Sequence, residues 1–203
     1  MLDMTKNSDA TRRRIAPRSS TSSPDCVSSQ VSLECIILIG LPGAGKTTFY
    51  REKFAATHAH ISKDLWPNAT GRAAKQQKAI EETLNSEKSV VVDNTNPTVA
   101  ERAAIIETAR EHGARVIGYF FDITTRAAVA RNANRTGKGK VPNVAIFTTA
   151  KRLQPPGVSE GFDELYRVEI KPDRSLQITR IGNSLANWHI QLDHRIRLNT
   201  DAQ

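Results

Sequence analysis

Short apolar runs alternate with longer amphipathic stretches along this chain. The segment Val31 to Ile39 ends in the unbroken run Cys35-Ile36-Ile37-Leu38-Ile39, which predicts a strand buried on both faces. Ser89-Val90-Val91-Val92 predicts a second buried strand and Arg115 to Phe121 a third. His58 to Ile61 reads as a short strand, and 164–170 and 175–181 as two further ones. Helical patterns fill the gaps at 46–57, 70–86, 124–136 and 142–153. In the second of these, Ala73, Ile80 and Leu84 share a face. Asn96-Pro97 opens another helix, with Asn96 as its cap, proline at the first helical position and Gly113 past the end. Val99, Ala103 and Ile106 give that helix an apolar stripe. Strands alternating with helices predict an α/β fold, a mostly parallel sheet covered on both faces.

The ends of the chain break this pattern. Ser and Thr supply ten of the first 30 residues, and the first aromatic residue is Phe49. Such a stretch buries too little apolar surface to offset its ordering entropy, so 1–30 is expected to be a disordered tail. The folded domain is expected over 31–182. Residues 183–203, with alternating Trp188, Ile190 and Leu192, form an extension without an assigned role.

Ligands of parallel sheets bind at the carboxyl ends of the strands. After Ile39 comes Gly40-Leu41-Pro42-Gly43-Ala44-Gly45-Lys46-Thr47, which matches G-x-x-x-x-G-K-[ST] at every fixed position. In that motif the backbone N–H groups wrap a phosphate chain, and the following helix adds its positive dipole end. Gly40 through Thr48, including Leu41, Pro42, Gly43, Ala44, Gly45, Lys46 and Thr47, are therefore assigned to nucleotide binding. Lys46 would meet the outer phosphates and Thr47 would bind Mg²⁺. Asp93, directly after the Val90-Val91-Val92 run, is assigned to the same cation. Asp64, in Ser62-Lys63-Asp64-Leu65-Trp66, follows the short strand and would orient or deprotonate an attacking hydroxyl. Trp66 either stacks on a substrate base or packs the cleft wall, and His58, His60, His189 and His194 are taken as structural or solvated.

The formal net charge is +8, with no long like-charge block. One asymmetry changes the picture. Between Asp122 and Glu160 there is no acidic residue, yet Arg126, Arg131, Arg135, Lys138, Lys140, Lys151 and Arg152 lie there. Arg131 and Arg135, four apart, are expected on one helix face, where two guanidinium groups suit a transferring phosphoryl group. Gly137-Lys138-Gly139-Lys140 would hinge this segment as a lid over ATP. The longest apolar run is five residues against the ~20 of a membrane-spanning helix, so no membrane span is expected. Two cysteines, Cys26 and Cys35, make no metal-binding or disulfide framework. A cytoplasmic location is expected, although an Arg- and Ser-rich start is also a feature of organelle transit peptides.

The motif order is phosphate loop, Ile-Ser-Lys-Asp, Val-Val-Val-Asp-Asn-Thr-Asn-Pro, then Ala-Arg-Asn-Ala-Asn-Arg. It resembles the P-loop kinases related to the 5′-hydroxyl polynucleotide kinase domain of end-healing enzymes, over about residues 35–170. Glu160-Gly161-Phe162 resembles a turn near the end of those domains. The resemblance implies a P-loop NTPase fold of the nucleoside-kinase-like kind, three-layered α/β/α with a helical lid. It implies transfer of the ATP γ-phosphate to the 5′-OH of DNA or RNA, with Mg²⁺. Lys46, Asp64, Arg131 and Arg135 are then the catalytic residues, Asp64 the general base and Arg135 a transition-state contact. The family's phage-type members carry an arginine three residues after the base, where this chain has Pro67. No Asp-x-Asp phosphatase motif is present in the sequence, so a kinase alone is expected. A small-molecule kinase of the same fold, acting on a nucleoside, sugar or antibiotic hydroxyl, is the alternative. A nucleotide-binding switch ranks third, since no Asn-Lys-x-Asp motif is present and a switch has no use for Asp64.

Overall fold

The computed structural model describes residues 32–171, 173 and 175–182. The expectations for the tail 1–30 and for the 183–203 extension, His189 and His194 included, lie outside the described residues.

Six strands form one sheet in the order β2-β3-β1-β4-β5-β6. They are β1 (Glu34–Gly40), β2 (Ala59–Ile61), β3 (Val90–Asp93), β4 (Arg115–Phe121), β5 (Glu164–Ile170) and β6 (Leu176–Arg180). The first five are parallel, and β6 pairs antiparallel with β5. The helices are α1 (Lys46–Lys53), α2 (Arg72–Asn85), α3 (Val99–Glu111), α4 (Thr125–Ala133) and α5 (Asn143–Arg152).

β1 lies at the centre, and its apolar run feeds both faces. Cys35, Ile37 and Ile39 pack with Ile80 and Leu84 of α2 and Ile105, Ile106 and Ala109 of α3. Ile36 and Leu38 pack on the other face with Phe49 of α1 and with Val91, Ile117 and Phe121. Alternating burial of one continuous strand thus produces the three layers. A third, smaller cluster joins Leu41 of the loop after β1 to Ala128 of α4 and Ile146 of α5.

Several local expectations shift. The helix after β3 starts at Val99, not at Asn96-Pro97. Its cap is Thr98, whose hydroxyl accepts from the Glu101 N–H at 3.2 Å. The spacing Thr98-Val99-Ala100-Glu101 is a capping-box pattern that the prominent Asn-Pro masked. Asn96 instead sits buried in a left-handed conformation (φ 41°) and donates to the Leu38 carbonyl at 2.7 Å. The buried face of α3 is Arg102, Ile105, Ile106, Thr108 and Ala109, and Val99 and Ala103 are exposed. On α2 Gln76 is buried where Ala73 was expected. β1 starts at Glu34, α1 ends four residues earlier than its pattern suggested, and α4 ends at Ala133 rather than at Thr136.

Candidate active site

Strand register brings the three strand ends together. Leu38 of β1 pairs with Asp93 of β3, and Ile61 of β2 pairs with Val92. The chain passes from β1 to the β3 side of the sheet and later crosses to β4 on the other side. The carboxyl end of β1 is therefore the topological switch point where such sheets bind ligands.

The loop Gly40–Thr48 leaves β1 at this point and enters α1. Gly43 has φ 85°, and a Cβ there would lie 2.8 Å from the Ala128 carbonyl of α4, so only glycine lets loop and α4 meet. Gly45, at φ 93°, caps α1. Lys46 is buried, and its Nζ donates to the carbonyls of Gly40 (2.9 Å) and Leu41 (2.8 Å). Burial pushes its ammonium down to about 8; the Asp93 carboxylate opposes this, Arg135 adds to it, and Asp64 opposes it. Asp93, Arg135 and Asp64 thus all act electrostatically on one ammonium, although they come from three separate parts of the chain.

Thr47 Oγ1 donates to Asp93 Oδ2 at 2.7 Å. His60 Nε2 lies 3.0 Å from the same oxygen, with its ring stacked on Tyr50 at 4.2 Å between centroids. Burial tends to raise the Asp93 pKa, but the hydrogen bonds from His60 and Thr47 and the charge of Lys46 outweigh it. The carboxyl is held below the usual carboxylate range. An ionised carboxylate beside a threonine hydroxyl is an oxygen donor set that suits Mg²⁺, a hard cation with few protein ligands. His60, read from the sequence as structural or solvated, thus contacts a candidate site residue. Its place two residues before Ser62, on the strand beside β3, is the signal that marks it.

Asp64 lies on a short 3-10 turn, Lys63–Leu65, capped by Ser62. Its side chain is exposed and makes no hydrogen bond among the described residues. Asn94 fixes the turn. Its Oδ1 accepts from the Lys63 N–H at 2.9 Å, and its Nδ2 donates to Gln76 Oε1 at 2.7 Å. Neither Asn94 nor Gln76 stood out in the sequence, because each is partnered by a residue distant along the chain. Trp66 packs against the core beside α2 and α3, which favours its packing role.

Arg131 occupies the last turn of α4, but Arg135 lies beyond the helix, in the loop before α5. The two arginines therefore do not share a helix face. The loop folds back instead, with the Arg135 N–H donating to the Asn132 carbonyl at 3.1 Å and Nη1 to the Gly139 carbonyl at 3.2 Å. Gly137–Gly139 forms a 3-10 turn inside it. The arrangement combines a glycine loop with a buried lysine, a hydroxyl–carboxylate pair at the adjoining strand end and an exposed carboxylate after β2. It can hold a nucleoside triphosphate with its outer phosphate facing a proton acceptor.

The bifunctional polynucleotide phosphatase/kinase of Schizosaccharomyces pombe is 29% identical over 158 residues, which cover 76% of this chain and 38% of that protein. The chain thus spans well under half the length of that relative. The crystal structure of a fungal RNA kinase superposes with a TM-score of 0.53 at 18% identity, covering 76% of this chain and 80% of that one. A gluconokinase from Sinorhizobium meliloti superposes at 0.51 and 21% identity, covering 68% and 84%. Both share the P-loop kinase fold. The AAA domain family profile matches residues 35–156, which include the phosphate loop, Asp64, Asp93 and both arginines, and the chain belongs to this family of P-loop proteins.

Proposed function

We propose that this chain is an ATP-dependent phosphotransferase that moves the γ-phosphate to a hydroxyl acceptor, the 5′-OH of DNA or RNA. The observation that carries the reading is the phosphate loop itself: buried Lys46 next to Thr47, whose hydroxyl donates to Asp93 of the neighbouring strand end at 2.7 Å. In the reaction the acceptor oxygen bonds to the γ-phosphorus, and the bond from that phosphorus to the β-phosphate oxygen breaks. The oxygen leaves as ADP, and the hydroxyl proton passes to Asp64. Lys46 and the N–H groups of Gly43, Gly45, Lys46 and Thr47, at and just before the start of α1, hold the phosphates. Thr47 and Asp93 would hold Mg²⁺, which when bound neutralises charge on the phosphate oxygens. Arg131 and Arg135 stabilise charge developing on the transferring group.

The polynucleotide acceptor is supported by the similarity to the S. pombe phosphatase/kinase and by the motif order that carries it. A second reading, a small-molecule kinase, is favoured by Pro67, exposed at the position where phage-type polynucleotide kinases carry an arginine. An acceptor panel separates the two. With γ-labelled ATP and Mg²⁺, label should enter a 5′-OH oligonucleotide faster than any nucleoside, sugar or aminoglycoside. Brisk transfer to a small alcohol with none to the oligonucleotide selects the second reading.

A further inference from the structure

Asn132 is fully buried at the last turn of α4, between the two arginines. Its side-chain amide pairs with both backbone groups of Val141. Nδ2 donates to the Val141 carbonyl at 2.7 Å, and Oδ1 accepts from the Val141 N–H at 3.1 Å. Nδ2 also donates to Asn143 Oδ1, at 3.2 Å, at the start of α5. One side chain thus closes the base of loop 133–141 as a strand would. The loop is compact, with near ends and its own internal bonds: Arg135 to Gly139, and the Gly137–Gly139 turn. Arg135 rides on it, and α4, from whose end the loop springs, packs its Ala128 against Leu41 and Gly43 of the phosphate loop.

We propose that Asn132 is a positioning residue for phosphoryl transfer, holding loop 133–141 in a preformed shape that aims Arg135 at the phosphate loop. This rests on the phosphotransferase reading given above. A fully buried amide with three bonds has few alternatives, because any other placement leaves its own donors and acceptor unpaired inside the protein. A flexible lid would have to order nine residues at each turnover. A clamped one loses little entropy on closure, and its guanidinium arrives already oriented.

The test uses the full chain with Asn132→Ala and Asn132→Asp; the aspartate keeps an acceptor for the Val141 N–H but loses the donor. Two readouts are taken on variants whose melting shows them folded. The first is limited trypsin cleavage within the loop, at Arg135, Lys138 and Lys140, without nucleotide. Cleavage should speed up at least ~10-fold in the alanine variant, as a bound loop becomes an open one. The second is steady-state transfer. A displacement of about 1 Å costs up to ~10²-fold, so kcat should fall ~10–100-fold while the ATP KM stays within about threefold. The aspartate variant should lie between wild type and alanine in both. Unchanged cleavage in both variants overturns the clamp. Faster cleavage with unchanged kcat overturns the positioning role. If wild type transfers phosphate to no acceptor, the phosphotransferase reading fails and Asn132's catalytic role with it, while the cleavage assay still decides the clamp.

Discussion

Raising the pH should weaken nucleotide binding by an amount set by Lys46. Burial holds its ammonium at about 8, and among the described residues its hydrogen-bond partners are the Gly40 and Leu41 carbonyls. An exposed lysine titrates near ~10.4, and anionic phosphate oxygens in place of the carbonyls return Lys46 to that range. The lysine is then about three-quarters charged at pH 7.5 but only ~3% charged at pH 9.5, and binding above pH 8 must take up a proton. The dissociation constant for ADP without metal should rise about 20-fold between pH 7.5 and 9.5, or ~1.8 kcal/mol. Titration calorimetry in two buffers of different ionisation enthalpy measures both the affinity and the proton uptake. Lys46→Met should bind weakly at pH 7.5 and show almost no slope. A flat wild-type profile to pH 9.5, or an equal slope in the methionine variant, refutes the assignment. The lowered value also has a sign for folding. The unfolded chain binds more protons between about 8 and ~10.4, so Lys46's contribution to stability rises with pH across that window.

Asp64→Asn should lower turnover ~10²–10⁴-fold and leave nucleotide affinity nearly unchanged, as read by single-turnover transfer and a separate binding titration. Arg135→Ala should reduce kcat more than ATP affinity, because its contact strengthens as charge develops; equal losses in binding and kcat/KM would make it a simple binding residue. Arg102 is fully buried, held by Glu160 through Nε (2.6 Å) and Nη2 (2.8 Å) and by the carbonyls of Asn96 and Gln154. Arg102→Met leaves a buried carboxylate without its cation and should cost about 3–5 kcal/mol in urea unfolding, part of it recovered by adding Glu160→Leu.

The central strands β1, β3 and β4 were legible because their apolar runs are short, bounded and rich in β-branched or aromatic residues, as buried parallel strands are. The phosphate loop was legible for a similar reason: Gly43 and Gly45 are required by backbone conformation, so their spacing survives in the sequence. Helix faces were harder to read. A hydrophobic stripe cannot show that Arg102 and Gln76 are buried, because each is made tolerable by partners distant in sequence: Glu160 for one and Asn94 for the other. The same holds for His60, whose partner Asp93 is supplied by a neighbouring strand, and for Asn132, whose partner lies across a loop. The helix pattern through Arg135 failed because the Asn132 side chain ends α4 by binding Val141 ahead.

The central claim is phosphoryl transfer at the site gathered around Lys46. Wild type and Asp64→Asn, each incubated with γ-labelled ATP, Mg²⁺ and a 5′-OH oligonucleotide, test it most directly. Label should appear on the 5′ end with wild type and fall at least ~10²-fold with the asparagine variant. Wild type that labels no hydroxyl acceptor, or an asparagine variant that transfers at the wild-type rate, contradicts the account.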